Sequence, residues 1–302
     1  MKAMILAAGL GTRLKPLTDS TPKALVPIVN KPIINRTIDY LKSYGVRRIV
    51  VNAHHHSKRI VDYLNNGGPF GIEIDVRVEP EILGTGGGIG NTKDFWDNEP
   101  FIVINADILT DIHLNKAYER HRSSGGLATL ILHDHEPFNQ VLIDNRGCIT
   151  DIGTQKNPSR LAFTGIHVVE PELLSYIPES GFSDIMDCYR RLIRSGKRIS
   201  AYITEGHYWR DIGNIGSYIQ ANKDVLGRSS KMFFQGSHTV LHPSVRLSEW
   251  AVVGDHVALE QGVEIRRSII WDHVRVKRGC TITDSIVTSN QEVDGDLRGQ
   301  IT

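Results

Sequence analysis

Two glycine-rich segments, two separated cations and two separated acids are the parts of this sequence that could do chemistry. Leu6-Ala7-Ala8-Gly9-Leu10-Gly11-Thr12-Arg13 follows a short apolar run, and Lys23 stands ten residues after Arg13. Gly9 and Gly11 let backbone N–H groups come close to a phosphate chain. Leu14 occupies the place of the third glycine of a dinucleotide-binding fingerprint,. Two fixed cations after such a loop suit a polyphosphate better than a nicotinamide dinucleotide. Asp107 closes the apolar run Ile102-Val103-Ile104-Asn105-Ala106, and Asp211 stands in Trp209-Arg210-Asp211-Ile212-Gly213. Two carboxylates, completed by phosphate oxygens and water, make an ordinary Mg2+ site, because this ion rarely takes an all-protein cage.

These residues need a scaffold that brings loops together at one edge. Apolar runs at 4–8, 49–52, 72–78, 101–105, 128–132 and 162–169 read as strands, and amphipathic stretches at 33–44, 58–64, 114–122 and 184–194 as helices,. Strand–helix alternation at this spacing predicts an α/β fold with a mixed, mostly parallel sheet. Ligands of such sheets bind beyond the carboxyl ends of the strands. Both Gly9 and Asp107 fall there.

The texture changes near 226–230. Val245, Ala251, Val257, Val263 and Ile269 fall six apart, each followed two residues later by Leu247, Val253, Leu259, Ile265 and Trp271. After a slip of one residue the pattern resumes at Val274, Cys280 and Ile286, followed in turn by Val276, Ile282 and Thr288. Eight registers of a six-residue period, apolar at i and i+2 with polar turns between, predict a short parallel β-helix with one short strand per repeat. The domains expected are 1–227 and 228–302. His242, His256 and His273 read as turn residues of the repeats, and Trp250 and Trp271 as interface anchors or core caps.

Composition narrows the function. In 302 residues, 35 Lys and Arg balance 34 Asp and Glu, a net charge of +1 with both signs interspersed. That argues against electrostatic capture of nucleic acid or an anionic membrane. Cys148, Cys188 and Cys280 lie far apart without a CxxC pair, and no run approaches the ~18 apolar residues that span a bilayer,. A cytoplasmic location is expected. His54-His55-His56 invites a metal reading, but consecutive side chains diverge, so a pocket-lining His54 or His55 and a helix starting at His56 or Ser57 are expected instead.

The stretch LAAGLGTRLKPLTDSTPKALVPIVNKP closely resembles the opening signature of the sugar-1-phosphate nucleotidyltransferases, or NDP-sugar pyrophosphorylases. That resemblance implies the reaction of an NTP with a sugar 1-phosphate to give an NDP-sugar and pyrophosphate, on a Rossmann-like nucleotidyltransferase domain. It implies that Leu6, Ala7, Ala8, Gly9, Gly11 and Thr12 wrap the nucleotide, that Arg13 holds the triphosphate and that Lys23 sits by the reacting phosphates. Asp107 and Asp211 match the family's metal-binding acids, with Ala106 in place of the usual glycine. Glu79-Pro80-Glu81-Ile82-Leu83-Gly84-Thr85-Gly86-Gly87 resembles the family's base-binding loop, with Gly84 and Thr85 on the nucleotide. The acceptor-only carboxylate of Glu79 could take the adjacent N–H groups of guanine, which favours GTP with mannose 1-phosphate or a related sugar, or it could merely cap the loop. The loop is similar to those of mannose- and heptose-1-phosphate guanylyltransferases and of muramate-type uridylyltransferases.

On the sugar side the resemblance assigns Gln140, Thr164, Gly165 and Lys156, and places Phe182-Ser183-Asp184 before a helix that Ser183 or Asp184 would cap. The terminal repeats resemble the left-handed β-helix of several relatives, which implies a homo-oligomer joined through it. The alternatives are a UTP- or dTTP-dependent enzyme of the same class, a non-catalytic subunit that senses nucleotide-sugar, and a nicotinamide-dependent oxidoreductase. All four of Arg13, Lys23, Asp107 and Asp211 are present, against the second. The absent third glycine counts against the last.

Overall fold

The computed structural model describes residues 1–66, 70–155 and 157–302. Runs rich in valine and isoleucine, bounded by polar residues or glycine, become the strands of one nine-stranded sheet,. β1 (Lys2–Leu6), β2 (Arg48–Ala53), β3 (Glu73–Val78) and β4 (Phe101–Asn105) are parallel, in the order β3-β2-β1-β4. β5 (Ile108–Thr110) leaves the sheet and is followed by β6 (Ala128–His133), β7 (Asn139–Ile143), β8 (Ile149–Ile152), β9 (Leu161–Val169), β10 (Ile199–Ile203) and β11 (Trp209–Asp211). β9 runs antiparallel to β4, β6 and β7, β8 runs antiparallel to β7, and β10 is parallel to β6. Only β9 and β8 therefore oppose the common direction. The sheet is mixed and mostly parallel, as the alternation predicts.

The helices are α1 (Ile33–Ser43), α2 (Ser57–Asn66), α3 (Gly84–Gly90), α4 (Leu114–Ser124), α5 (Ile185–Arg194) and α6 (Ile215–Arg228). Asp184 caps α5 by accepting from the Met186 amide at 2.7 Å,. Helix α3 was legible only as a glycine-rich loop, since Gly-Thr-Gly-Gly-Gly-Ile-Gly has almost no helix propensity,. It forms because tertiary contacts hold it: the Gly86 and Gly87 amides both donate to the Ser183 carbonyl, at 2.8 and 3.1 Å. Packing is closed as well, for a Cβ on Gly88 would meet Asn52 Nδ2 at 2.6 Å.

Two compact units result: Met1–Leu10 with Arg36–Asp211, and Gly11–Asn35 with Ile212–Thr302. They divide the chain differently from the composition change near 228. The first unit holds the sheet and a core including Phe101, Val103, Leu130, Val169, Tyr189 and Leu192. In the second, α6 is the reason for the difference. Its fully buried Asn222 accepts from the Val29 amide at 2.7 Å, and its Tyr218 hydroxyl accepts from Trp271 Nε1 at 2.9 Å. One helix thus binds both the 11–35 segment and the tail.

The tail consists of short strands stacked in parallel, each opposite the segment one coil further on. Phe233 lies opposite Ala251 and Val240 opposite Ala258, a step of eighteen residues, and Ala258 lies opposite Arg275, a step of seventeen. Ala251, Val253, Val257, Leu259, Val263, Ile265, Val274, Val276, Cys280 and Ile282 form its core, as the repeat predicts. Ile269, Trp271 and Ile286 do not. The slip comes one turn earlier and recurs, so that Ile270 and Val287 face inward while Ile269 and Ile286 line a cavity beside Ile219 and Lys223 of α6. The extra apolar side chains are explained by that helix. His256 is a turn residue with positive φ, and its ring stacks between His238 and His273 at 4.8 Å from each.

Among the described residues no helix is long and apolar enough to cross a membrane, and the three cysteines are unpaired. Ile270→Ala is expected to destabilise the tail by about 2–5 kcal/mol, read by urea unfolding. A pH dependence follows from buried histidines. Burial pulls His121 and His133 from 6.5 down to about 4, and His167 down to about 3. Each is neutral in the fold and gains a proton on unfolding below 6.5, so its contribution is complete above that value and is lost as pH falls toward 4. The calorimetric Tm is expected to fall on acidification from pH 7 to 5.

Candidate active site

Strand register builds the cleft. Leu6, the last residue of β1, pairs with Asn52 on one side and Asn105 on the other, so three strand ends come level at the point where the chain reverses direction across the sheet. A cavity of about 240 Å³ opens there, lined by Leu6, Ala8, Gly9, Asn52, Gly84, Thr85, Asn105 and Asp107, with Ile82 at its side. A Cβ on Gly9 would meet nothing within 4 Å, so this glycine leaves open space where a ligand can approach the backbone. Gly11 is different. Its φ is +67°, and a Cβ would meet Thr18 Cγ2 at 2.9 Å and Lys23 Cβ at 3.2 Å. Within the second unit, glycine at this position brings the Arg13 turn and Lys23 together, and the Thr18 hydroxyl donates to the Gly11 carbonyl at 2.8 Å.

Asn52 ties the cleft walls. Its Oδ1 accepts from the Ala7 amide at 2.8 Å, and its Nδ2 donates to Glu79 Oε1 at 2.8 Å. Glu79 Oε2 accepts in turn from the Leu83 amide at 3.1 Å. Glu79 is 1 % exposed and does not line the cavity. Each oxygen of Glu79 thus accepts a hydrogen bond from within the protein. Sequence reasoning missed Asn52 and Asn105. Their signal was an Asn ending an apolar run in both Val50-Val51-Asn52 and Val103-Ile104-Asn105.

Strand pairing sets Asp211 one position from Asp107. β5 pairs antiparallel with β11, with Asp211 opposite Ile108, so Asp211 lies across the ladder from the residue that follows Asp107. Opposed residues of an antiparallel ladder are about 5 Å apart between Cα atoms, and Asp107 itself lines the cavity. Among the described residues no group of three or more His, Cys, Asp or Glu side chains could hold a metal. A two-carboxylate donor set of hard oxygens fits Mg2+, which keeps most of its shell for water and phosphate.

The expected sugar side is more dispersed. Gly165, with φ +78°, lets β9 approach the cleft, since a Cβ would meet Asn105 Nδ2 at 2.9 Å and Ile108 Cγ1 at 3.2 Å. Thr164 is fully buried and its hydroxyl donates to the Ile131 carbonyl at 2.9 Å, so its side chain is structural; its own carbonyl accepts from Trp209 Nε1 at 2.9 Å. Gln140 sits on β7 and its carbonyl accepts from the buried Arg160 at 2.6 Å. Lys156 lies outside the described residues. His54 Nδ1 is 2.8 Å from the Glu79 carbonyl, which fastens the β2 end to the β3 end, and α2 begins at Ser57.

Residues 2–228 match the family model for nucleotidyl transferase. The UTP–glucose-1-phosphate uridylyltransferase of Synechocystis is 33 % identical over 258 residues, which cover 76 % of this chain and 65 % of that protein. This chain thus spans about two-thirds of that relative's length. Mannose-1-phosphate guanylyltransferase 1 of Arabidopsis thaliana is 28 % identical over 89 % of this chain and 79 % of its own. The crystal structure of HddC from Yersinia pseudotuberculosis superposes with a TM-score of 0.63 at 26 % identity, over 74 % of this chain and 99 % of that one. Asn52→Ala leaves the Ala7 amide and Glu79 each one bond short in a buried place. It is expected to lower stability by about 1–3 kcal/mol in urea unfolding.

Proposed function

Because this chain belongs to the nucleotidyl transferase family, we propose that it transfers a nucleotidyl group from an NTP to a sugar 1-phosphate and releases pyrophosphate. The observation that carries this reading is the placement of Asp107 in the cavity at the carboxyl edge of β1 and β4, beside the open backbone at Gly9, with Asp211 across the ladder from the neighbouring Ile108. A phosphate oxygen of the sugar 1-phosphate attacks the α-phosphorus. The bond from that phosphorus to the β-phosphate's bridging oxygen breaks, and pyrophosphate leaves with the electron pair. The attacking oxygen is already anionic, since the second pKa of such a phosphate is ~6. No base is needed, and catalysis reduces to positioning and charge neutralisation.

Arg13 and Lys23 are assigned the triphosphate oxygens, and the N–H groups around Gly9 the phosphate chain. Asp107 and Asp211 would hold Mg2+, which when bound supplies Lewis-acid stabilisation of the phosphoryl oxygens. GTP with a mannose-type sugar 1-phosphate is the first pair to assay, because the Arabidopsis guanylyltransferase matches over 89 % of the chain. UTP with glucose 1-phosphate is the second, on the strength of the Synechocystis relative. The parallel tail is read as a left-handed β-helix that carries self-association, supported by the exposed Met232, Phe233 and Val240 on its first coil.

A panel of four NTPs crossed with several sugar 1-phosphates, with magnesium, is expected to release pyrophosphate for at least one pair. Asp107→Asn and Asp211→Asn are each expected to cut that rate by about 10²-fold or more while Tm stays within a few degrees. Full activity in both variants would remove the acid pair from the reaction.

A further inference from the structure

A charged cavity of the first unit, about 490 Å³, opens at the amino ends of β1, β2 and β4. It lies at the opposite edge of the sheet from Gly9 and Asp107. β1 joins the two edges: Lys2 lines this cavity and Leu6 the other, about 13 Å of strand apart,. Over the whole chain the charges nearly cancel. Here cations prevail, for Lys2, Arg47, Arg48 and Arg122 line the cavity with two acids, Asp97 and Glu99.

Two of the four cations are fixed. Lys2 and Arg48 occupy paired positions on β1 and β2, where like charges repel,. Each has its own acid. Lys2 Nζ lies 3.0 Å from Asp97 and donates to the Phe95 carbonyl at 2.8 Å, and Arg48 donates two bonds of 2.7 Å to Glu73. Both also stand over the Phe95 ring, 5.4 and 5.3 Å from its centroid,. They are in place before any ligand arrives.

The other two are not. The Arg47 backbone is tied on both sides, its amide to the Met1 carbonyl and its carbonyl to the Glu73 amide. Among the described residues its exposed guanidinium has no hydrogen bond or ion pair. Arg122 reaches Glu99 only at 3.8 Å, with the side chains 64 and 67 % exposed, a pair that contributes little. Tyr118, one turn earlier on α4, donates from its hydroxyl to the Pro100 carbonyl at 3.1 Å, which fastens this face of the helix to the start of β4,. A single unpaired arginine is ordinary on a protein surface. Two that line one cavity, beside two immobilised cations, leave a concentrated positive field with no protein group to answer it.

We propose that this cavity binds the phosphate group of a small phosphoester, with Arg47 and Arg122 closing on its oxygens in the field of Lys2 and Arg48. The site is independent of the nucleotidyl-transfer reading and lies outside the catalytic cavity. A guanidinium fork matches phosphate geometry with two parallel bonds. A phosphate monoester carries close to two negative charges near neutral pH, which two mobile cations meet and a lone carboxylate does not. The volume is within the range of about 300–1,000 Å³ usual for small-molecule sites, so a ring or chain fits behind the phosphate.

The test is modification of arginines in the full-length protein by phenylglyoxal, read peptide by peptide by mass spectrometry, with inorganic phosphate or glucose 6-phosphate present. Both are expected to slow reaction at Arg47 and Arg122 by about 5-fold or more and to leave the exposed Arg194 of α5 unchanged,. Potassium chloride at equal ionic strength is expected to protect none of the three. Arg47→Gln removes an exposed charge without a partner, so its Tm is expected to match the parent's. In that variant, protecting Arg122 is expected to need about 10-fold more phosphate. Equal protection of Arg194, protection by chloride, or an Arg122 response unchanged in Arg47→Gln overturns the proposal and leaves an adventitious ion only. Protection confined to Arg13, assigned above to the triphosphate, overturns it as well. Protection by inorganic phosphate but not by glucose 6-phosphate defeats the phosphoester assignment.

Discussion

One buried side-chain amide holds the cleft of the first unit in shape. Asn52 takes the Ala7 amide on one side and the Glu79 carboxylate on the other, and Glu79 passes the constraint to Leu83, the residue before α3. The loop after β1 and the second glycine segment are thereby fixed to the same strand end. A buried polar chain of this kind is stabilising only when every member is satisfied. Each link found here has its partner. The absence of a side chain at Gly88 is part of the same construction, since any Cβ would collide with Asn52 and Glu79.

Function is then assigned to what the constraint leaves open. Gly9 faces empty space, while Gly84, Gly86 and Gly87 are pressed against the 181–184 segment. Gly9 thus leaves open space beside the backbone, whereas the glycines of the second segment let a helix without propensity pack closely. Antiparallel pairing of two three-residue strands does the remaining work by carrying Asp211 to the neighbourhood of Asp107 across a separation of more than a hundred residues in sequence. Such an acid pair with few other ligands suits phosphoryl chemistry, where the substrates bring most of the oxygen atoms themselves.

In the second unit, α6 reconciles the tail with the segment after the first loop. The Tyr218–Trp271 bond fastens the outer face of the parallel strands to the helix. This explains why apolar residues occur at both positions of a pair such as Ile269 and Ile270. One points into the coil and the other toward α6.

The mostly parallel strand–helix alternation and the repeating tail are legible in the chain alone, because apolar periodicity is a local signal, and so are two acids and two cations that stand apart after apolar or glycine-rich runs. Tertiary structure alone decided that Gly84–Gly90 is a helix, that Glu79 and Thr164 turn their side chains to structural bonds, and that the tail shifts its inward face twice. Each of these depends on a partner distant in sequence: Ser183 for the helix, Asn52 for Glu79, Ile131 for Thr164, α6 for the shift. A residue type states what a side chain can bond, but only packing states which of its partners arrives.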